Sequence, residues 1–249
     1  FGEALKINSS IKELKMDFCM LNAKDGKGLA AGLVNSASLT KVDLSHNRLC
    51  GIWEEYDINQ RKFVQKGIYN AEGIIAVADA IGVSASLTEV DLRYNSLGDE
   101  GWCAVFDALR ENPQSKITKW DLSQQGINPV ICNSLAAYMA VSASLTSVNL
   151  AANPLAGIWG QYSDGSGNLT GEFHIEGIAA IAQVVKKSTT LQAIDLSNTA
   201  IAGINRSGHG SYSAESIMAI AEAVSVSTSI TSLDVRYNHC LGDEAKVTI

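Results

Sequence analysis

The feature that most constrains the fold of this chain is an internal repeat. The phrase S-A-S-L-T-x-V-D-L-x-x-N occurs at 36–47 and 84–95, and again with Asn in place of Asp at 142–153. Weaker copies extend the pattern, and the first apolar positions of all copies are Ile11, Leu39, Leu87, Ile117, Leu145, Leu191 and Ile230. A unit this short cannot bury its own apolar side, so the copies are expected to stack on one another.

Each copy combines two periodicities. Val42 and Leu44 alternate with polar residues, which predicts a short strand. The segment 73–81, G-I-I-A-V-A-D-A-I, has apolar residues at helical spacing. The first apolar positions are 28, 48, 30, 28, 46 and 39 residues apart, which indicates a unit of about 28 residues with three insertions. The pattern therefore predicts a solenoid of strand and helix units.

The unit L-x-x-L-D-L-x-x-N-x-L-G-x-x-G-x-x-x-L, clearest at 87–109, resembles the leucine-rich repeat of the ribonuclease-inhibitor subclass. The resemblance covers about 11–245 and implies an α/β horseshoe with parallel strands on the concave face and helices on the convex face. Residues 1–249 are thus predicted to form one domain of about seven repeats. The Asn that ends each strand phrase is expected to bond backbone groups of the turn. Gln125 and Thr199 replace that Asn, which predicts looser turns there.

The insertions lie at about 50–72, 156–176 and 202–215, each between a strand and its helix. The first two begin with G-I-W-x-x-Y, and turn residues lie at the centres of the second and third, which predicts β-hairpins on one rim of the horseshoe. Half of the aromatic residues lie in the insertions, and they either hold the hairpins in place or anchor a partner. The candidate partner-binding aromatics are Trp53, Tyr56, Phe63, Trp159 and Tyr162. Of these, the tryptophans suit a structural role at the stem.

A second candidate surface is the polar column in the middle of the predicted strands. The acidic members of this column are Asp43, Asp91, Asp121, Asp195 and Asp234. One interpretation is that Asp is simply the common residue there, with Lys41, Arg93 and similar neighbours neutralising it. The other is that the column attracts a cationic partner.

Composition and motifs limit the possible functions. The formal charge of −7 disfavours binding to a nucleic-acid backbone, and no uncharged apolar run is long enough to span a membrane. The histidines are scattered, the five cysteines form no C-x-x-C pair, and phosphate-binding and nucleophile-elbow motifs are missing from the sequence. We therefore expect no enzyme activity, cofactor or metal. The cysteine pattern favours an intracellular, cytoplasmic location, with an organelle as the alternative. The start at Phe1 suggests a fragment or a processed form.

Together these patterns predict a non-enzymatic scaffold that binds a protein partner through the concave face and the rim hairpins. Two alternatives stay open. The chain is a permanently bound subunit of a large assembly, or it is the recognition fragment of a larger regulator or enzyme. The sequence does not identify the partner.

Overall fold

The computed structural model describes residues 2–157, 172–204 and 212–238. Short strands alternate with helices along these residues. The helices are α1 (Gly2–Ile7), α2 (Ala23–Leu33), α3 (Glu72–Gly82), α4 (Gly98–Arg110), α5 (Pro129–Val141), α6 (Glu176–Lys187) and α7 (Glu215–Val226). The strands are β1 (Glu13–Lys15), β2 (Lys41–Asp43), β3 (Ile52–Asp57), β4 (Lys62–Gly67), β5 (Glu89–Asp91), β6 (Lys119–Asp121), β7 (Ser147–Asn149), β8 (Ala193–Asp195) and β9 (Ser232–Asp234).

The chain divides into two compact units, the first comprising residues up to 120 with 142–144 and the second comprising the rest. In the first unit, β1, β2 and β5 form a parallel sheet in that order. Leu14, Val42 and Val90 are in register at the strand centres, and all three are buried. Because neighbouring residues of a strand point to opposite faces, the flanking polar residues face the other side of the sheet.

The helices of the first unit pack in succession, α1 on α2, α2 on α3 and α3 on α4. Ile74, Val77 and Ile81 of α3 are fully buried, as their helical spacing predicts. The close approach of α2 and α3 requires glycine at position 73, because a Cβ there would lie 2.4 Å from the Cα of Ala23. Removal of these apolar side chains from water is the main stabilising contribution to such a layer.

The second unit has the same construction. Its sheet has the order β6–β7–β8–β9, and the β7–β8 and β8–β9 pairs are parallel. Helix α6 packs on both α5 and α7. Val148 and Ile194 are buried at the strand centres, with Leu150 and Leu196 fully buried just beyond the strands.

A buried asparagine closes the turn after the strand in four repeats. Asn95 accepts a hydrogen bond from the Leu49 N–H and donates through Nδ2 to the carbonyl oxygens of Leu44 and Leu92. The bond to Leu44 crosses to the preceding repeat, so the side chain ties two turns together. The equivalent residues with the same kind of bonding are Asn47, Asn153 and Asn238.

The two turns without this asparagine keep side-chain bonds of their own. Thr199 is buried and donates from Oγ1 to the Leu196 carbonyl at 2.7 Å. Gln125 donates from Nε2 to the Ser123 carbonyl at 2.9 Å. Each replacement thus satisfies a carbonyl of its own turn, and the expectation of looser turns stays a prediction.

Candidate functional site

All three insertions leave the repeats through the same backbone arrangement. Gly51, Gly157 and Gly203 have φ of 72°, 77° and 77°, a left-handed conformation that favours glycine. A Cβ at Gly51 would also lie 2.6 Å from the Ile68 carbonyl oxygen. A backbone hydrogen bond then closes each insertion at its base: Asn70 N to Cys50 O, His174 N to Ala156 O, and Ser213 N to Ala202 O.

The first insertion is an antiparallel hairpin of β3 and β4, in register from Ile52 opposite Gly67 to Asp57 opposite Lys62. Asp57 organises its turn, because one carboxylate oxygen accepts the backbone N–H groups of Asn59 and Gln60. These bonds, with that of Gln60 first, hold the pKa of Asp57 below its usual value.

Two aromatic rings of this hairpin are exposed on one face near its turn. Tyr56 and Phe63 are a directly opposed cross-strand pair, with ring centroids 5.3 Å apart in an edge-to-face arrangement. They remain 51% and 67% exposed. Edge-to-face packing stabilises such a pair by roughly 0.5–1.5 kcal/mol, and large ring surfaces stay open to a partner.

The aromatic residues nearer the base of the hairpin contact the repeats. The Arg48 guanidinium lies over the Trp53 ring, 4.1 Å from its centroid. The Tyr69 hydroxyl donates to the Leu97 carbonyl at 2.7 Å. Cys50 is fully buried at this base, and the burial raises the pKa of its thiol to about 12, so the group stays protonated at neutral pH. Trp53 and Tyr69 thus fix the hairpin to its unit.

The second and third insertions are described only at their ends. Trp159 and Tyr162 lie outside the described residues, so their proposed role remains a prediction. Phe173 is half-buried and Tyr212 is exposed.

In the first unit, the polar strand column consists of Lys15, Asp43 and Asp91 in direct register. Oδ1 of Asp43 accepts the Ser45 N–H, and Oδ1 of Asp91 accepts the Arg93 N–H, each at 3.0 Å. Asp91 also forms an ion pair with the Arg93 guanidinium at 2.7 Å. Lys41, by contrast, pairs with Glu89 at 2.8 Å and not with the column.

The second unit repeats this arrangement at Asp121, Asn149, Asp195 and Asp234. The Oδ1 atom of each accepts the backbone N–H two residues later. The Arg236 side chain, bonded to Asp234, holds the pKa of that carboxyl below its usual value. The Asp and Asn residues of the column therefore have a structural role that the periodicity of the sequence does not reveal, because each ends its strand in an Asx turn.

A set of exposed rings on the first unit is not evident from the periodicity of the sequence. Phe18, His46 and Tyr94 take the turn position three residues after the column residue, and their rings stack. A repeat-by-repeat comparison of this single position could have found them, because it reads Phe, His, Tyr in the first three repeats.

Two kinds of chemical group bear on catalysis among the described residues, metal-binding clusters and reactive thiols. Across 2–157, 172–204 and 212–238, no group of three or more His, Cys, Asp or Glu side chains is arranged to hold a metal ion. Cys50 and Cys132 are buried, and burial raises the pKa of both thiols to about 12. Over the same ranges, every helix lacks the length and apolar character that crossing a bilayer requires.

Comparisons with known proteins identify a matching family model and several similar proteins. A family model described as Leucine Rich repeat matches residues 83–102 and 226–245. NACHT, LRR and PYD domains-containing protein 13 of Homo sapiens is 25% identical over 189 residues, which are 72% of this chain and 16% of that protein. Protein 14 of the same series in Mus musculus is 23% identical over 155 residues, which are 59% of this chain and 16% of that protein. The chain thus spans less than a fifth of the length of these relatives.

A solved structure described as leiomodin-1 actin-binding site 2 has a similar fold. It aligns with a TM-score of 0.51 and 16% sequence identity, covering 73% of this chain and 86% of that one. At this identity the likeness concerns the fold alone.

Proposed function

Because this chain is a leucine-rich repeat protein, we propose that it is a non-enzymatic recognition module that binds a protein partner. The finer proposal is a horseshoe of about seven repeats in one domain, with strands on the concave face and insertion hairpins on one rim. The partner contacts the hairpin aromatics and the acidic strand column. Stacked repeats suit this role, since a rigid surface loses little conformational entropy on binding.

The observation that carries the proposal is the exposed ring pair of Tyr56 and Phe63. The hairpin is joined to the repeats at its base by Trp53 and Tyr69, which leaves the outer rings in a fixed position. Aromatic side chains held in this way are typical anchors of protein interfaces, where a few such residues contribute most of the binding energy. Trp159 and Tyr162 lie outside the described residues, and their part in partner binding stays a prediction from the sequence.

The acidic column makes a secondary contribution in this proposal. Asp43 and Asp195 use one carboxylate oxygen in a turn bond and, among the described residues, take part in no ion pair. The Asp43 charge is thus available to a cationic partner, whereas Asp195 already interacts electrostatically with Arg236. Asp91 and Asp234 are already neutralised by arginines, and Asp121 shares Oδ1 with the Ser123 hydroxyl. We expect Asp43 to affect the association rate more than the final affinity.

The test is quantitative capture of partners from an extract of the native source. The binding variant carries Tyr56→Ser and Phe63→Ser, and the matched control carries Ile7→Ser, which also removes an exposed apolar side chain but lies on α1. We expect the binding variant to recover at least about tenfold less partner, which corresponds to about 1.4 kcal/mol. Equal recovery by all three proteins, each with an unchanged melting curve, would contradict the hairpin proposal.

A second candidate is that the chain is the recognition segment of a larger regulator. The favouring observation is that the matched region makes up only 16% of the human relative. An antibody against this chain should then detect a native protein well above 26.4 kDa on a denaturing gel. A native band at the mass of this chain would argue against the larger regulator.

A further inference from the structure

A column of stacked rings crosses three successive repeats of the first unit. The Phe18 and His46 centroids are 4.1 Å apart with planes inclined by 11°, and those of His46 and Tyr94 are 4.3 Å apart with planes inclined by 17°. This spacing is close to the distance of about 4.8 Å between neighbouring strands. The rings therefore follow the sheet, one ring per repeat.

The backbone at these three positions is left-handed. Phe18, His46 and Tyr94 have φ of 53°, 54° and 57°. A residue other than glycine adopts this conformation at an energetic cost. Contacts between the stacked rings offset part of that cost.

The turn does not require aromatic residues. At the same position in the second unit, which has the same left-handed φ, the chain places Gln124, Ala152, Asn198 and Tyr237. The rings of the first unit are moreover not used in its core, because Phe18 is 68% exposed and Tyr94 is 45% exposed. Exposed rings that stack across three successive repeats, at a turn position that Gln124, Ala152 and Asn198 also occupy, point to a binding function.

The charges beside the column indicate the kind of partner. Asp17 is exposed and directly precedes Phe18, and Asp43 lies three residues before His46 without an ion pair among the described residues. The neighbouring cations Lys15 and Arg93 are paired with Glu13 and Asp91, so the carboxylates of Asp17 and Asp43 attract a cation. Because the rings cover one another's faces, the stack presents mainly its edges, which suit apolar side chains and backbone carbonyl groups.

We propose that the ring column of Phe18, His46 and Tyr94 docks an extended, basic peptide segment of a protein partner. One apolar side chain of the peptide lies against the ring edges, and a Lys or Arg side chain reaches Asp17 or Asp43. The column is about 8 Å long, which matches about three residues of extended chain. The inference rests on the proposed function, because it assigns a second contact surface to the same recognition module.

The test starts with selection of random heptapeptides displayed on phage against the full chain. We expect the enriched peptides to carry Lys or Arg beside an apolar residue. Fluorescein-labelled synthetic copies are then titrated by fluorescence polarisation. The ring variant Phe18→Ser, Tyr94→Ser should weaken Kd at least tenfold. The control Tyr237→Ser, at the same turn position in the second unit, should leave Kd within a factor of two.

A second variant keeps the test decisive if the ring variant melts abnormally. Asp17→Asn with Asp43→Asn preserves the size of both side chains and leaves the rings in place. It should weaken Kd at least threefold and reduce the dependence of Kd on salt. No enriched peptide, acidic enriched peptides, or an unchanged Kd in this variant would overturn the inference.

The hairpin variant separates this inference from the proposed function. Tyr56→Ser with Phe63→Ser should leave heptapeptide affinity unchanged even where it reduces partner recovery. Loss of heptapeptide binding in that variant would transfer the peptide site to the hairpin. That result would overturn the ring-column inference while supporting the hairpin proposal.

Discussion

Replacement of Asn95 by Ala should destabilise the first unit strongly, because its buried side chain bonds backbone groups of two successive turns. Asn95 is fully buried and accepts from the Leu49 N–H at 3.3 Å while donating to Leu92 O at 3.0 Å. The Leu44 carbonyl would keep one side-chain hydrogen bond, because Asn47 also donates to it at 2.9 Å. The change therefore leaves two buried backbone groups without their side-chain partner.

A buried polar group left unsatisfied costs about 1–3 kcal/mol, so we expect Asn95→Ala to lower the free energy of unfolding by about 4 kcal/mol. Asn95→Thr is the informative comparison, since Thr199 occupies the equivalent position and bonds the Leu196 carbonyl. A hydroxyl can replace one of the two lost bonds, which predicts a loss of about 2 kcal/mol for that variant.

Urea unfolding followed by tryptophan fluorescence measures both values. Trp102 and Trp120 are buried in the core of the first unit, with centroids 6.4 Å apart, and should report its unfolding. A loss below about 1 kcal/mol for Asn95→Ala would refute the assigned role of the buried amide. Equal losses for Ala and Thr would refute the account of how Thr199 substitutes for asparagine.

Three further predictions concern the core. Leu92→Ala should lower the free energy of unfolding by about 2–5 kcal/mol as a core truncation, and an unchanged urea midpoint would contradict the buried assignment. Gly73→Ala should lower the melting temperature, whereas Gly28→Ala, on the same pair of helices but with open space around its Cβ, should raise it slightly. Burial raises the pKa of Cys132 to about 12, above the unfolded value near 9, so this thiol should lower the free energy of unfolding by up to about 1.4 kcal/mol per pH unit above pH 9 and contribute no pH dependence below it. Cys132→Ala should make that decline shallower. If the free energy of unfolding falls with the same slope in this variant and in the unmodified chain from pH 8 to 10.5, the burial effect is contradicted.

Much of the fold followed from the sequence because its signal is repeated. The resemblance to leucine-rich repeats is confirmed, while the ribonuclease-inhibitor subclass stays a prediction. The pattern around Val42 and Val90 predicted the strands, since alternation of buried and polar residues is a local property. The division into two compact units had no such signal.

The candidate site was harder to predict because it depends on contacts between repeats. The sequence separated the outer Tyr56 and Phe63 from the stem residue Trp53, as the structure places them. It did not predict that Asp43 would bond its own turn, nor that Phe18 would stack on His46. Both depend on left-handed or turn backbone that periodicity does not encode.

Because the three insertions share one base geometry, the repeats accommodate inserted segments of different length. The hydrogen bonds that close the three bases enclose 19, 17 and 10 residues, yet the same glycine turn precedes each one. Since doubling a loop adds only about 0.6 kcal/mol of closure entropy, the pinned base lets the enclosed segment lengthen, shorten or change with little effect on the repeats. The enclosed segment can therefore change in length or sequence while the stacked repeats keep their structure.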